Sequence, residues 1–282
     1  MDHADRQRKR TFNGLSAREW ASMSRNVWAD VSSPRREKHI EHGATYPEKL
    51  AARLITIYSG PGDLILDPFM GTGTTLEACA RTGRRGAGIE LSPDFCAIAR
   101  KGLPSAGRIK VVNDDCRNLL AHVPEDTVQL VITSPPYANF IRRSVADRTK
   151  SHKKSMIAID NNSQVKPYSD DLRDFGNLPY PDFLGELEAL IAKLYKVTKP
   201  GGYNVWVVKD YRDTRNGVPY VSFHTDLARI GEACGFRFHD LIVWDQNDQR
   251  SLILLGYPSV FYTNQNCSFL VVFRKPQRHE AK

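Results

Sequence analysis

Apolar and polar positions along this chain change period from block to block, and the changes predict an alternation of helices and short strands. Over residues 45–58, Leu50, Leu54 and Ile57 share one helical face, with Thr45 as N-cap and Pro47 in the first turn. Ser59-Gly60-Pro61-Gly62-Asp63 reads as a turn, and Leu64-Ile65-Leu66 as a short apolar strand. A glycine loop and a helix over Thr74 to Arg81 follow. Gly83 to Gly88 leads into a second strand ending at Ile89-Glu90, and Ser92-Pro93 caps a helix over Asp94 to Lys101. Ile109 to Val112 predicts a third strand with Asp114-Asp115 at its end. Val128 to Thr133 predicts a fourth, running into Ser134-Pro135-Pro136-Tyr137. This rhythm is that of βαβ units around a mostly parallel sheet, where ligands gather outside the carboxyl ends of the strands.

Residues 138–178 break the rhythm. They are polar, rich in Arg, Lys, Asp, Asn and Ser, and almost free of apolar periodicity, as in a functional loop or a disordered one. Pro181 then opens a helix with Phe183, Leu187, Leu190, Ile191 and Leu194 on one face. Lys199-Pro200-Gly201-Gly202 predicts a tight turn before a fifth strand, Tyr203 to Val208. A helix from about Thr225 to Cys234 stops at Gly235. Leu241 to Trp244 and Phe269 to Phe273 are expected to pair antiparallel. At the other end, residues 1–38 read as a basic arm followed by a helical pattern around Leu15 to Val27, with Trp20 and Trp28 docking it onto a catalytic domain over 39–282.

Composition narrows the class. At 282 residues, with 41% hydrophobic and 26% charged residues, the chain suits a soluble globular α/β protein. No apolar run approaches the length of a membrane span, and Met1 to Arg10 lacks the apolar core of a secretory signal. The five cysteines, Cys79, Cys96, Cys116, Cys234 and Cys267, form no C-x-x-C pair, which points to reduced thiols, no zinc site and a cytoplasmic setting. A net charge of +8 changes the picture more. The excess sits in residues 1–38, with nine basic and five acidic side chains, and in 138–178, with eight and five. Such segments suit a polyphosphate partner, although a merely soluble basic surface would look the same.

The candidate chemistry lies at the predicted strand ends. Gly71 and Gly73 form a G-x-G directly between strand and helix, where close ligand approach and free helix N–H groups coincide, as they also would in a structural turn. Position 76 is Leu, so a nicotinamide dinucleotide fingerprint is incomplete. Glu90 ends the next strand 19 residues after Gly71, where a carboxylate can accept both hydroxyls of a ribose. Asp115 or Asp114 could accept from an adenine amino group, or close an Asx turn. Together these describe a nucleoside-bearing cofactor without a phosphate requirement. In Ser134-Pro135-Pro136-Tyr137, the Ser134 hydroxyl and the Pro135 carbonyl can orient an exocyclic amine. Pro135 and Pro136 lock the backbone, and Tyr137 offers a stacking face for an extruded base. A strand ending in a proline turn beside a core tyrosine is the bland alternative.

Asp67-Pro68-Phe69-Met70-Gly71-Thr72-Gly73-Thr74-Thr75 followed by Ser134-Pro135-Pro136-Tyr137 resembles the amino-methylating DNA methyltransferases, which act on cytosine N4 or adenine N6. His42-Gly43-Ala44-Thr45-Tyr46-Pro47 resembles the family segment that touches the methionine end of the cofactor, and Gly86 to Glu90 its ribose-binding strand. The resemblance implies an α/β fold with a Rossmann-like S-adenosylmethionine-dependent methyltransferase sheet of seven strands, mostly parallel with an antiparallel last strand. It carries cofactor contact to Thr45, Tyr46, Pro47, Asp67, Phe69, Gly71, Gly73, Thr74, Thr75, Glu90, Asp114, Asp115 and Cys116, and catalysis to Ser134, Pro135, Pro136 and Tyr137. No metal is implied. A Ser at position 134 is typical of cytosine-N4 enzymes. The implied partner is double-stranded DNA, contacted by Arg142, Arg143, Lys153 and Lys154 in the polar insertion, in a nucleoid-associated protein of a restriction-modification system. A cognate restriction endonuclease would act separately. Adenine-N6 methylation, an RNA or protein amide substrate, and a non-catalytic DNA-binding regulator are the alternatives.

Overall fold

The computed structural model describes residues 11–32, 46–104, 107–137, 171–213, 217–249, 252 and 259–280. In chain order the elements are α1 (Ala17–Met23), β1 (Val27–Trp28), α2 (Glu48–Tyr58), β2 (Leu64–Asp67), α3 (Thr74–Arg81), β3 (Arg85–Glu90), α4 (Pro93–Gly102), β4 (Ile109–Asn113), α5 (Leu119–His122), β5 (Val128–Thr133), α6 (Tyr180–Val197), β6 (Thr198–Val208), β7 (Tyr211–Asp213), β8 (Val218–Val221), α7 (Phe223–Ala233), β9 (Arg237–Asp245) and β10 (Cys267–Arg274). One sheet runs in the order β1-β9-β10-β6-β5-β2-β3-β4, and β7 and β8 form a separate hairpin. Strands β2 to β6 pair in parallel, while β10 is antiparallel to both its neighbours. The expected α/β sheet with an antiparallel last strand is therefore present.

Both faces of this sheet are covered, which is why its central strands read as continuous apolar runs. Successive residues feed opposite cores. Ile65, Leu130, Ile132, Val205, Val207, Leu270 and Val272 pack with Leu50, Leu54 and Ile57 of α2. Their neighbours Leu66, Val131, Trp206, Val208, Val271 and Phe273 pack with Phe183, Leu187, Leu190 and Ile191 of α6 and with Phe223 and Leu227 of α7. The strand period of two thus serves two helical layers at once. A topology of this kind brings the carboxyl ends of β2, β3, β4, β5 and β6 to one rim. Among the described residues, no helix is long and apolar enough to cross a membrane.

Several expectations need correction. Helix α2 begins at Glu48, with Pro47 at the N-cap and no side-chain cap bond; Thr45 lies outside the described residues. The pattern over 15–27 yields only the short α1, held by a Ser16–Glu19 capping box. The chain then adds Val27 and Trp28 to the sheet in parallel with Val243 and Trp244, giving eight strands among the described residues where seven were expected. Trp28 is 2% exposed and lies under the Arg53 guanidinium at 5.0 Å, whereas Trp20 is 46% exposed and docks nothing into the core. Lys199 to Gly202 is not a turn between elements but a bulge within β6. Pairing jumps from Val128–Thr198 to Leu130–Tyr203, and Gly201 takes a φ of 81°. Lys275 closes this bulge, its carbonyl accepting from the Gly201 N–H and its own N–H donating to the Gly202 carbonyl.

The two tryptophans supply a stability prediction. Trp28→Ala should cost about 3–5 kcal/mol in urea denaturation of the full chain. Trp20→Ala should stay within about 0.5 kcal/mol. Equal losses would contradict the docking of β1 through Trp28.

Candidate active site

Asp67 closes β2 and is 2% exposed. Its Oδ1 accepts from the Phe69 N–H at 3.1 Å and the Thr133 hydroxyl at 2.8 Å. Its Oδ2 accepts from the Thr75 hydroxyl at 2.6 Å and the Tyr46 hydroxyl at 3.1 Å, the latter also 2.5 Å from Thr75 Oγ1. Burial raises the Asp67 pKa, and these four donors oppose that rise. A carboxylate offers about four lone-pair sites, and all are engaged by protein. Asp67 therefore reaches the rim but shapes the loop rather than offering a free acceptor.

The loop after Asp67 turns through Gly71 and Gly73, with φ of 55° and 89°, values that other residues adopt only under strain. A Cβ on Gly73 would also stand 3.0 Å from that of Ala99, so α4 packs directly on the glycine. Glu90 ties the loop to the next strand. Its Oε2 accepts from the Gly71 N–H and its Oε1 from the Ser92 N–H, both at 2.8 Å. Each oxygen keeps a further lone pair. Burial pushes the Glu90 pKa up to about 7, against those two amides.

A cleft of about 860 Å³, open to solvent, lies along this rim. Tyr46, Asp67, Phe69, Gly71, Thr74, Glu90, Asp115 and Cys116 line it, and so do Ser134 and Pro136 from the end of β5. The two motifs recognised in the sequence thus share one wall. Gly73, Thr75, Pro47, Asp114, Pro135 and Tyr137 are not on it. Thr75 works beneath the loop through Asp67. Asp114 turns away to His122 at 2.6 Å and Asn118 at 2.9 Å, and these bonds hold its pKa below the usual range. Asp115 is on the wall, with its oxygens accepting from the Arg117 N–H and guanidinium, both at 2.9 Å. Tyr137 packs edge-to-face on Phe223 at 6.0 Å. Arg142, Arg143, Lys153 and Lys154 lie outside the described residues.

Part of the wall was not anticipated. Arg173, Asp174 and Phe175 line the cleft, although they belong to the stretch read as a polar insertion. Residues 175–177 form a 3-10 turn capped by Asp174, whose side chain accepts from the Gly176 N–H. Phe175 is 2% exposed, between the Phe69 ring at 5.4 Å and the Arg117 guanidinium at 4.4 Å. Arg117 also donates to Glu186 at 2.8 Å and to the Arg173 carbonyl at 2.8 Å, fastening this strap to α6. Asp-Phe-Gly-Asn-Leu, an apolar pair behind a capping Asp, was the available sequence signal.

The wall fits S-adenosylmethionine on its own chemistry. The Thr74 hydroxyl is buried without a hydrogen-bond partner at the start of α3, where an amino-acid carboxylate would meet a donor and the positive end of the helix. The spare lone pairs of Glu90 suit a ribose diol. Phe69, Leu91, Phe95 and Phe175 supply apolar surface for a purine.

The cleft thus lies at the carboxyl rim of a doubly wound sheet with an antiparallel last strand, where such sheets bind their ligands. Residues 1–101 match the family model for N6/N4 methyltransferases described as DNA methylase. It is 47% identical over 74 residues to the type II methyltransferase M.MthZI of Methanothermobacter thermautotrophicus, covering 25% of this chain and 21% of that one. The orphan methyltransferase M.BamHII of Bacillus amyloliquefaciens is 44% identical over 63 residues, covering 22% of this chain and 24% of that one. The type II methyltransferase M.BglI of Bacillus subtilis is 39% identical over 92 residues, covering 32% and 26%. The chain thus spans about a quarter of the length of the curated relatives it matches. A TehB-like SAM-dependent methyltransferase from Corynebacterium glutamicum is similar at 16% identity, covering 80% of this chain and 86% of that one, with a TM-score of 0.44.

The raised pKa of Glu90 has a measurable sign. A carboxyl whose pKa is about 7 when folded and 4.5 ordinarily binds more protons in the folded state between those values. Its contribution to stability therefore declines as pH rises from about 4.5 to about 7. Urea midpoints measured at about pH 5 and about pH 7.5 should separate wild type from Glu90→Gln, the variant lacking that part of the decline. A difference between the two proteins that does not change with pH would refute the assignment.

Proposed function

We propose that the chain is a DNA methyltransferase that moves a methyl group from S-adenosylmethionine to the exocyclic N4 of a cytosine extruded from duplex DNA. The observation that supports this reading is that Gly71, Glu90 and Ser134, from the two sequence motifs and the strand between them, line one cleft. The bound cofactor supplies an electrophilic methyl on a sulfonium, so positioning is the main task left to the protein. The Ser134 hydroxyl and the Pro135 carbonyl accept from the amine and turn its lone pair toward that methyl. Consecutive prolines hold the carbonyl in place, since each fixes its own φ. Tyr137, braced edge-to-face by Phe223, offers a ring face for the extruded base.

Choice of cytosine rests on Ser134, the residue that the family resemblance associates with N4 rather than N6 chemistry. The +8 net charge favours a polyanionic partner, with Arg142, Arg143, Lys153 and Lys154 proposed as its phosphate or base contacts. Asp67 enters this reading indirectly. It sets the loop geometry through Thr75 and Phe69 and the β5 end through Thr133.

Incubation of the purified chain with duplex DNA and labelled S-adenosylmethionine, followed by nucleoside analysis, should yield N4-methylcytosine. N6-methyladenine would overturn the cytosine assignment, and no labelled DNA would overturn the activity. Ser134→Ala should slow single-turnover transfer by roughly 100-fold, with cofactor affinity nearly unchanged. Glu90→Ala should instead weaken cofactor binding by roughly 10-fold or more in calorimetry. Parallel loss of binding and transfer in both variants would refute the division of roles.

A further inference from the structure

A second constellation on the same rim belongs to neither motif. Asp210 follows β6 and is 2% exposed. His224 Nδ1 lies 2.7 Å from its Oδ2 and 2.9 Å from its Oδ1. The His224 backbone N–H donates to Oδ1 at 3.1 Å, and the Tyr220 hydroxyl donates to Oδ2 at 2.8 Å. Phe269 supports the imidazole from one face, with ring centroids 4.3 Å apart. An Asp that accepts from Nδ1 fixes the proton there and leaves Nε2 as the basic nitrogen. The Thr225 hydroxyl stands 3.3 Å from Nε2, and the His224 side chain as a whole keeps 22% exposure.

The fold attaches this pair and the tetrapeptide to neighbouring strands. Thr133 pairs with Trp206, so Ser134-Pro135-Pro136-Tyr137 and Asp210 both follow from the carboxyl ends of adjacent parallel strands, although neither Asp210 nor His224 lines the cleft itself. Phe223, next to His224 in sequence, is the residue that braces the Tyr137 ring. Methylation of an amine creates a requirement that the tetrapeptide cannot meet. Once the nitrogen has formed its fourth bond it is cationic and must shed a proton. The Ser134 hydroxyl and the Pro135 carbonyl can accept hydrogen bonds but cannot retain a proton near neutral pH.

We propose that His224, oriented by Asp210, takes the proton released by the methylated amine. This rests on the methyltransferase reading above. As the amine lone pair forms the N–C bond, the electrons of the breaking S–C bond stay on sulfur. One N–H proton passes to Nε2, and its bonding pair returns to nitrogen as the lone pair of the neutral methylamino product. The imidazolium is stabilised by the Asp210 carboxylate and passes its proton to water. Asp210 is a positioning residue here, and His224 is the catalytic one.

A purely structural dyad would also join the start of α7 to the end of β6, so the test must separate proton transfer from folding. Single-turnover methyl transfer to duplex DNA by His224→Gln should fall roughly 100-fold, with affinity for S-adenosylmethionine retained. Added imidazole should restore part of the rate to His224→Ala. His224→Gln at the wild-type rate would overturn the proposal, as would a cofactor-binding His224→Ala that imidazole leaves inactive. If His224→Ala does not bind cofactor, the His224→Gln rate decides. Failure of the underlying reading is seen separately, as absence of transfer by the wild-type chain.

Discussion

The buried carboxylate of Asp67 is the interaction on which the rim of this sheet depends. It gathers donors from four parts of the chain: Tyr46 ahead of α2, Phe69 in the glycine loop, Thr75 in the first turn of α3 and Thr133 at the end of β5. A buried charge is tolerated only when its acceptor capacity is met, so each donor is also a constraint on where its segment can lie. Removing one leaves a lone pair unsatisfied at about 1–3 kcal/mol, which keeps the four segments in register with one another. The glycine loop and the strand that leads to Ser134 are thereby fixed against the same atom pair.

The glycine loop, the Thr74 hydroxyl and Glu90 bring hydrogen-bonding groups to the cleft around that anchor. Ser134 and Pro136 also reach the wall, while Tyr137 leans on Phe223. Glu90 differs from Asp67 in how fully its oxygens are engaged. It is buried enough to titrate near 7, yet bound by only two amides. Ligand hydroxyls would complete its coordination and favour its ionised form.

Strand ends and glycine spacing made most of this legible from the residues. Leu64-Ile65-Leu66, Val128 to Thr133 and Phe269 to Phe273 are apolar on both faces, and only a strand buried between two helical layers explains that. The misreadings came from contacts distant in sequence. Nothing around Val27 and Trp28 announces a strand, because two residues make one only when β9 offers an open edge. Gly201 and Gly202 look like a turn, and only the pairing of β6 with β5 shows a bulge. Phe175 was hidden by its polar surroundings, since its burial depends on Arg117 and Phe69, 58 and 106 residues away. Asp114 and Asp115 were indistinguishable until His122 drew one of them off the wall.

The pairing of Val27 and Trp28 with Val243 and Trp244 has a consequence for how the protein behaves among its own copies. Strand β9 would otherwise present a row of unpaired N–H and C=O groups at the border of the sheet, a template for strands of other molecules. The short segment covers part of that row, and being only two residues long it offers little of its own to pair with. The buried Trp28 indole then works as a rivet for a seal, its Nε1–H closing on the Arg25 carbonyl at 2.6 Å. The N-terminal segment so covers part of a sheet edge as well as adding to the core.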